Sequence, residues 1–258
     1  MPELLEAALL GLIQGLTEFL PVSSSGHLAV FQALFGWDDD GGNLTFNVAV
    51  HVGSLGAVVL FVWRDLLEVL TTKRRLIAVI GVASVPLGVI GVAFGHAIGG
   101  LSSILWFVGV CFFATAAVLW LVRRDHRGSL SPEALSLPRA FCIGLAQAIA
   151  ILPGVSRSGS TIAAALMFGV ERDKAVRLSF LMAIPAIGGA GLYEAQRALA
   201  ASAPLPWGNV LVGMTVSFVA SLWAIRALVG VVKKERLGAF AIYCALLGAI
   251  CVITGLAG

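Results

Sequence analysis

The sequence predicts an all-α polytopic membrane protein with an inverted-topology repeat, each half being a re-entrant helix hairpin followed by three transmembrane helices. The first observation is composition: the 258 residues are 59% hydrophobic and only 12% charged, whereas soluble domains carry about 25% charged residues. The second is a set of apolar stretches long enough to cross a hydrocarbon core about 30 Å thick. The third is a pair of apolar regions that short polar loops interrupt. A water-soluble fold is excluded because it would have too little polar surface.

Six apolar stretches have the length of a membrane span. The two interrupted regions, 4–36 and 139–170, contain the loops PVSSSGH and PGVSRSGST, and each half is too short to span comfortably. Irregular backbone at membrane depth is tolerated only where protein buries it or where it lines a wet cavity. We therefore expect two re-entrant hairpins, together with six spans near residues 44–63, 76–95, 102–122, 176–200, 207–230 and 238–257.

The charged loops give these elements an orientation. Basic clusters in a membrane protein mark the cytoplasmic side, and here they are TKRR (72–75), RRDHR (123–127), ERDK (171–174) and KKER (233–236). All four fall on one side only if the region 139–170 returns to the face from which it entered. The first hairpin then opens outward and the second inward. The formal charge of +3 reflects these loops, and no pattern typical of nucleic-acid binding accompanies it.

The two interrupted regions are related in sequence. When residues 11–26 are placed over 144–159 without gaps, seven of the sixteen positions are identical, against about one expected by chance at average composition. This predicts a single membrane domain over 1–258, with a first repeat at 1–127 and an inverted second repeat at 128–258. Broken helices of inverted repeats meet near the bilayer midplane, so the two polar loops should form one site.

The second loop has the chemistry of an anion site. Glycine-rich turns before a helix expose backbone N–H groups, the helix N-terminus adds a partial positive charge, and Arg157 offers a forked guanidinium suited to phosphate. The hydroxyls that would join it are those of Ser156, Ser158, Ser160 and Thr161. The alternative is a polar turn that packs two short helices, with the arginine reaching the surface.

The first loop supplies groups for proton transfer. Gln14 and Glu18 are four residues apart and share a helix face, and Glu18 could act as a base or hold a divalent cation. Ser24 and His27 are three residues apart, close enough for a hydrogen bond if a helix begins there. Serine activated by histidine is a route to a covalent intermediate. A helix-end glutamate and an ordinary N-terminal histidine are the alternatives.

Two further features carry weaker signals. His51 heads an apolar span and could reach the site, although a structural hydrogen bond is the preferred interpretation. Gly91, Gly95 and Gly99 recur every four residues, a spacing typical of close helix packing or of a dimer face. We expect them to serve internal packing.

The stretches QGLTEFLPVSSSGH and PGVSRSGST resemble the two signature regions of the undecaprenyl-diphosphate phosphatase family, also called bacitracin-resistance proteins. The likeness covers nearly the whole chain in length, signatures, spans and repeat. It implies a bacterial inner-membrane enzyme that removes the terminal phosphate from a C55 polyprenyl diphosphate, which recycles the lipid carrier for cell-wall synthesis. It also implies a divalent cation, Mg²⁺ or Ca²⁺, and an active site that opens to the periplasmic side.

The resemblance also implies roles for particular residues. The paired acidic motif of the family falls on Gln14 and Glu18; because the first position is glutamine here, Glu18 alone would be the base and metal ligand. The implied nucleophile is Ser24 or a water molecule, with Ser24 preferred and His27 as its proton partner, and Arg157 would stabilise the transferred phosphoryl group. The motif serines fall on Ser23, Ser24 and Ser25.

Two other classes of function compete with the phosphatase. Inverted repeats with broken helices are common in transporters, so a transporter or flippase of a polyprenyl phosphate lipid is the main alternative. A structural scaffold is the second, and under it no single polar residue would matter beyond folding. The expected partners are the polyprenyl diphosphate and membrane lipids, with no nucleic acid, and the glycine series leaves a homodimer open.

Overall fold

The computed structural model describes residues 4–35, 41–123, 128–200, 207–233 and 236–257. Within these ranges the regular secondary structure is helical apart from one isolated β-bridge between Leu130 and Val170, which confirms the predicted all-α class. Two short 3₁₀ turns cover Gly100–Ser103 and Pro132–Ala134. The α-helices of the described ranges are α1 Leu4–Phe19, α2 Ser24–Phe35, α3 Gly41–Phe61, α4 Trp63–Thr71, α5 Arg74–Gly99, α6 Leu105–Leu121, α7 Leu137–Ile149, α8 Arg157–Met167, α9 Arg172–Ala200, α10 Trp207–Lys233 and α11 Leu237–Ala257.

Membrane-spanning character is concentrated in the helices that the sequence marks as spans. Among the described residues, four helices qualify alone by length and composition: α5, α9, α10 and α11. Two more spans are obtained if bent neighbours are joined, namely Phe46–Phe61 with α4 at 66° and Ala97–Ser103 with α6 at 101°. The predicted stretches 44–63 and 102–122 correspond to α3 and α6. The prediction of a multi-pass membrane protein is therefore confirmed.

Each interrupted region forms a pair of short helices. In the first, α1 and α2 are joined by residues 20–23, and in the second, α7 and α8 are joined by residues 150–156. We call these pairs the first and second hairpin. All four helices are 16 residues or shorter, so none has the roughly 20 residues that a span requires. The equivalence of the two halves of the chain stays a prediction.

The direction of the first hairpin follows from close contacts with α10 and α3. Along α1, Gly11 lies against Gly213 and Gly15 against Ser217. Along α3, Val50 lies beside Gly213, and Ser54 bonds to Ser217 at 2.9 Å. Because the contacts advance together along all three helices, α1, α3 and α10 run parallel.

The second hairpin runs the other way. Helix α5 starts on the side where α3 ends, since only the short α4 separates them. Arg75 at the start of α5 donates to the Glu133 and Leu135 carbonyls just before α7, at 2.8 and 3.4 Å. Helix α7 therefore begins where α3 ends, whereas α1 runs parallel to α3 and begins where α3 begins. The two hairpins enter the bundle from opposite sides.

Small residues allow the hairpins and spans to pack closely, as is usual between membrane helices. Besides the α1–α10 contacts, Gly144 of α7 lies against Ala83 of α5, and Gly109 of α6 lies against Gly248 of α11. The expectation for the glycine series of α5 is wrong in part. A Cβ at Gly95 or Gly99 would meet no heavy atom within 4 Å among the described residues, so these two glycines are not at a close helix contact there.

One glycine is required by the turn that links α7 and α8. Gly154 has φ +100°, a left-handed conformation that costs an L-residue about 1–2 kcal/mol. A side chain there would also overlap the Val108 carbonyl oxygen and the Cys111 Cβ of α6. The backbone of the second loop can therefore press directly against α6, which brings it to the centre of the bundle.

Candidate active site

The two hairpins meet through one buried ion pair. Arg157, at the start of α8, donates from Nη2 to Oε1 of Glu18 at 2.6 Å, and the two side chains are only 13% and 7% exposed. The residues are 139 positions apart in sequence, so the contact exists only because the hairpins converge. Arg157 Nη1 is also buried and makes no hydrogen bond within the described protein. The predicted convergence of the two polar loops is confirmed.

Three groups converge on the carboxylate of Glu18. Its Oε2 atom accepts from the Ser24 hydroxyl at 2.6 Å and from Gln14 Nε2 at 2.8 Å, while Oε1 takes the arginine. Gln14 is fully buried, and its Oε1 atom has no hydrogen-bond partner in the described protein. The Ser24 hydroxyl is half-buried and its proton points at the carboxylate, which is the geometry that a serine nucleophile and its general base require.

The loops are also joined by backbone contacts. The Gly154 N–H donates to Ser23 Oγ at 3.1 Å, and the same oxygen accepts from the Gly26 N–H at 3.3 Å. A Cβ at Gly26 would come within 2.9 Å of the Gly154 Cα, so the two backbones are nearly in contact. Ser23 itself has φ +66°, the one non-glycine residue with positive φ in the described chain. Strain of this kind, typically about 1–3 kcal/mol, concentrates at functional sites.

Thr115 of α6 fixes the second loop. Its hydroxyl donates to the Gly154 carbonyl at 2.8 Å and accepts from the Ser156 N–H at 2.9 Å. Both hydrogen bonds are buried. The Gly154 carbonyl and the Ser156 N–H therefore both rely on the Thr115 hydroxyl as their hydrogen-bond partner. The sequence gives no local signal for it, because the threonine stands alone in an apolar span.

Replacing Thr115 with valine should lower the thermal-unfolding midpoint in detergent and reduce any activity of the site. The replacement keeps the shape but leaves a buried carbonyl and a buried N–H unpaired, at a cost of about 1–3 kcal/mol. Thr254→Val on α11 is the matched control, since the Thr254 hydroxyl bonds only within its own helix and is exposed. Equal melting curves for the two variants would contradict the role given to Thr115.

The remaining predicted hydroxyls lie around this junction in different situations. Ser156 caps α8 by accepting from the Gly159 N–H at 3.1 Å, Ser158 donates to the Leu20 carbonyl at 3.0 Å, and Thr161 bonds to Ser179 at 2.7 Å. These three therefore stabilise the second loop and its contact with the first. Ser160 is buried in the first turn of α8, whereas Ser25 is exposed.

His27 does not make the hydrogen bond that its spacing from Ser24 predicts. Its Nδ1 lies 2.8 Å from the Ser23 carbonyl oxygen, and its Nε2 lies 2.7 Å from the hydroxyl of Tyr243 on α11. The expectation fails because helical side chains lean toward the preceding turn, which directs the ring at a backbone carbonyl. Ser24 bonds to Glu18 instead.

His51 has the predicted structural hydrogen bond and a second relation to the site. Its Nδ1 lies 2.7 Å from the Asn47 carbonyl oxygen within α3. It also interacts electrostatically with Glu18, which places an imidazole near the carboxylate from the side of α3.

The described residues contain no group of three or more His, Cys, Asp or Glu side chains that could hold a metal ion. The site does offer two kinds of oxygen, the Glu18 carboxylate and the unpaired Gln14 Oε1. Mg²⁺ is commonly held by one or two carboxylates together with substrate phosphates rather than by a complete protein cage. The oxygens present therefore fit a cation that arrives with a phosphorylated substrate.

The chain is similar to known proteins over nearly its whole length. The family model described as "Bacitracin resistance protein BacA" matches residues 7–250. Proteins named "Undecaprenyl-diphosphatase" are similar to this chain. Those from Halothermothrix orenii (38% identity over 255 residues, 97% of this chain and 98% of the relative) and Bacteroides thetaiotaomicron (39% over 264 residues, 98% and 99%) are two of them. A third, from Desulfatibacillum aliphaticivorans, is 40% identical over 273 residues, which cover 96% of this chain and 98% of the relative.

Proposed function

This chain belongs to the bacitracin resistance protein BacA family, and we propose that it hydrolyses undecaprenyl diphosphate to undecaprenyl phosphate and phosphate where the two hairpins meet. The activity recycles the lipid carrier of peptidoglycan synthesis and confers bacitracin resistance. The observation that carries the proposal is the buried Glu18–Arg157 contact with the Ser24 hydroxyl on the same carboxylate. This contact brings together a nucleophile (Ser24), a base (Glu18) and a positively charged guanidinium that can bind phosphate (Arg157).

Recognition of the diphosphate is assigned to Arg157 and to the starts of α2 and α8. Arg157 Nη1 is a buried donor without a protein partner, and a buried donor of this kind is rare unless a ligand or water uses it. The first-turn N–H groups of a helix have no intrahelical acceptor and favour anions. Ser23 and Ser156 each take only one of these N–H groups, which leaves others to bind phosphate oxygens.

For the reaction, we assign the attack to Ser24. As its oxygen bonds to the terminal phosphorus, its proton passes to Glu18, and the bond from that phosphorus to the bridging oxygen breaks to release undecaprenyl phosphate. The proton on Glu18 passes to the departing undecaprenyl phosphate, which leaves the carboxylate free again. Water then attacks the phosphoserine, Glu18 takes one proton from it and passes that proton to the Ser24 oxygen as the phosphorus–serine bond breaks, and the other proton leaves with the phosphate. Water as the first nucleophile is the alternative; only attack by Ser24 leaves a labelled terminal phosphate on acid-quenched protein.

A divalent cation, Mg²⁺ or Ca²⁺, is part of the proposal. Glu18 and Gln14 Oε1 would hold it together with substrate oxygens, and when bound it would offset the negative charge of the diphosphate. Gln14 contributes a neutral oxygen only, so within the described part of the chain Glu18 is the one anionic ligand proposed for this site. Arg157 would meet the transferred phosphoryl group from the opposite hairpin.

The membrane placement is also proposed. We assign the chain to the bacterial inner membrane, with its basic loops in the cytoplasm and the site open to the periplasmic side. The charge pattern supports this orientation, because cytoplasmic loops are enriched in lysine and arginine. The prenyl chain can then remain in the lipid while its diphosphate enters the protein.

The direct test uses purified protein in detergent with undecaprenyl diphosphate and Mg²⁺ or Ca²⁺. Phosphate release is expected, it should stop when a chelator removes the cation, and undecaprenyl phosphate should give no release. Absence of release, combined with movement of labelled lipid across liposomes that contain the protein, would instead support the flippase. That alternative is favoured by one observation, the entry of the hairpins from opposite sides.

A further inference from the structure

His27 lies in a fixed environment made by three separate elements. Phe112 of α6 approaches its ring edge-on, with centroids 5.5 Å apart and planes at 89°. Tyr243 of α11 stacks on it, with centroids 5.7 Å apart and planes at 8°. Both ring nitrogens are hydrogen-bonded, to the Ser23 carbonyl oxygen and to the Tyr243 hydroxyl. The imidazole is therefore held in position and orientation, and no nitrogen is left for Ser24.

The partners of the ring determine its tautomer. A backbone carbonyl can only accept, so Nδ1 of His27 carries the proton in its 2.8 Å contact with Ser23. In the neutral ring Nε2 is then the acceptor, and the Tyr243 O–H donates to it at 2.7 Å. The hydrogen on one nitrogen is thus fixed by what the other nitrogen binds, as is usual for functional histidines.

The hydrogen bonds from Tyr243 to His27 and from His27 to the first loop lead to Ser23, the residue with the strained backbone. The carbonyl that His27 holds belongs to Ser23, whose φ is +66°. The hydroxyl of the same residue accepts from the Gly154 N–H of the second loop. Ser24 follows directly and begins α2 with its hydroxyl on Glu18. A contact that fixes the Ser23 carbonyl therefore fixes where the nucleophile of the proposed reaction lies.

We propose that Tyr243 is a positioning residue of the active site, which holds His27 so that His27 holds Ser23 and thereby aligns Ser24. The inference rests on the proposed function. Tyr243 is 45% exposed, so its ring is not needed to fill the protein core. Its hydroxyl reaches a residue 216 positions earlier in sequence, which makes α11 part of the support for the first hairpin.

The test is Tyr243→Phe, which keeps the ring stack and removes only the hydroxyl. We expect kcat for phosphate release to fall about 10-fold, as for loss of one well-formed hydrogen bond, with KM within about twofold of the wild-type value because the substrate-binding groups are untouched. Tyr193→Phe on α9 is the matched control, since Tyr193 is 42% exposed and has no part in the site. Its kcat should equal that of the wild type.

A second background shows whether Tyr243 acts through His27. His27→Asn keeps an N–H close to the position of Nδ1, and its carboxamide is too short for the oxygen to reach the position of Nε2, where the Tyr243 hydroxyl binds. In this background Tyr243→Phe should change kcat by less than twofold. An equal 10-fold loss there, or a kcat for Tyr243→Phe equal to that of Tyr193→Phe, would overturn the inference. If the wild-type protein released no phosphate, the proposed function itself would be refuted. This outcome is distinct from failure of the Tyr243 inference, because the wild-type protein is assayed before any variant.

Discussion

Arg157→Lys is expected to reduce kcat for phosphate release about 100- to 1,000-fold, the range found when one preorganised donor to a developing anion is removed. Arginine holds Glu18 with Nη2 and has Nη1 free for the phosphoryl oxygens. Lysine keeps the charge, but its ammonium is a compact group on a flexible side chain, so it cannot bind the Glu18 carboxylate and the phosphoryl oxygens at the same time. The measurement is steady-state release from undecaprenyl diphosphate at matched protein amounts.

The matched control for this variant is Arg139→Lys in the same hairpin. Arg139 is exposed near the start of α7, so its replacement should leave kcat within about twofold of the wild-type value. A thermal-unfolding midpoint for each variant separates loss of chemistry from loss of fold. An Arg157→Lys protein that folds normally and retains wild-type kcat would show that the guanidinium does not act on the substrate.

Glu18→Gln is expected to lower kcat by about 100- to 10,000-fold, the contribution typical of a positioned general base. The amide has nearly the shape of the carboxylate, but it cannot take the proton of Ser24 and offers only one acceptor oxygen to three donors. It also leaves the buried Arg157 without its counter-ion, a change that costs about 3–5 kcal/mol in comparable buried pairs. Both a lower kcat and a lower thermal-unfolding midpoint should therefore be seen.

Glu6→Gln in the first turn of the same helix is the control. Glu6 is half-buried and lies three turns from the site. We therefore expect Glu6→Gln to lower kcat and the thermal-unfolding midpoint much less than Glu18→Gln does. If Glu18→Gln lowered the unfolding midpoint but left kcat unchanged in the folded fraction, the carboxylate would be a structural counter-ion only.

Much of the architecture could be predicted because it depends on local composition. Each apolar stretch is long enough to identify its own span, and the loops at 21–27 and 153–161 interrupt apolar helices at a visible point. The meeting of Glu18 with Arg157 required one further step, the match between residues 11–26 and 144–159. The charged loops predict that the hairpins enter from opposite sides. The match predicts that their loops meet, which places Arg157 opposite Glu18.

The parts that could not be predicted depend on packing between distant helices. Tyr243 and Thr115 stand in uniformly apolar spans, and their roles exist only because α11 and α6 pack at Gly248 and Gly109 and bring them to the loops. His27 was paired with the wrong partner for a local and a distant reason, because helix geometry directs its Nδ1 to the Ser23 carbonyl and α11 brings Tyr243 to its Nε2. Its spacing from Ser24 is local, whereas the tyrosine that binds it comes from the last helix.

The central claim, that both hairpins act as one catalytic site, is tested most directly by kcat for Glu18→Gln, Arg157→Lys and the double variant. Groups that act together have strongly non-additive effects, so the double variant should have a kcat within about tenfold of the slower single variant. A double variant in which the two losses multiply, at unchanged thermal-unfolding midpoints, would mean that Glu18 and Arg157 act independently and would contradict the account.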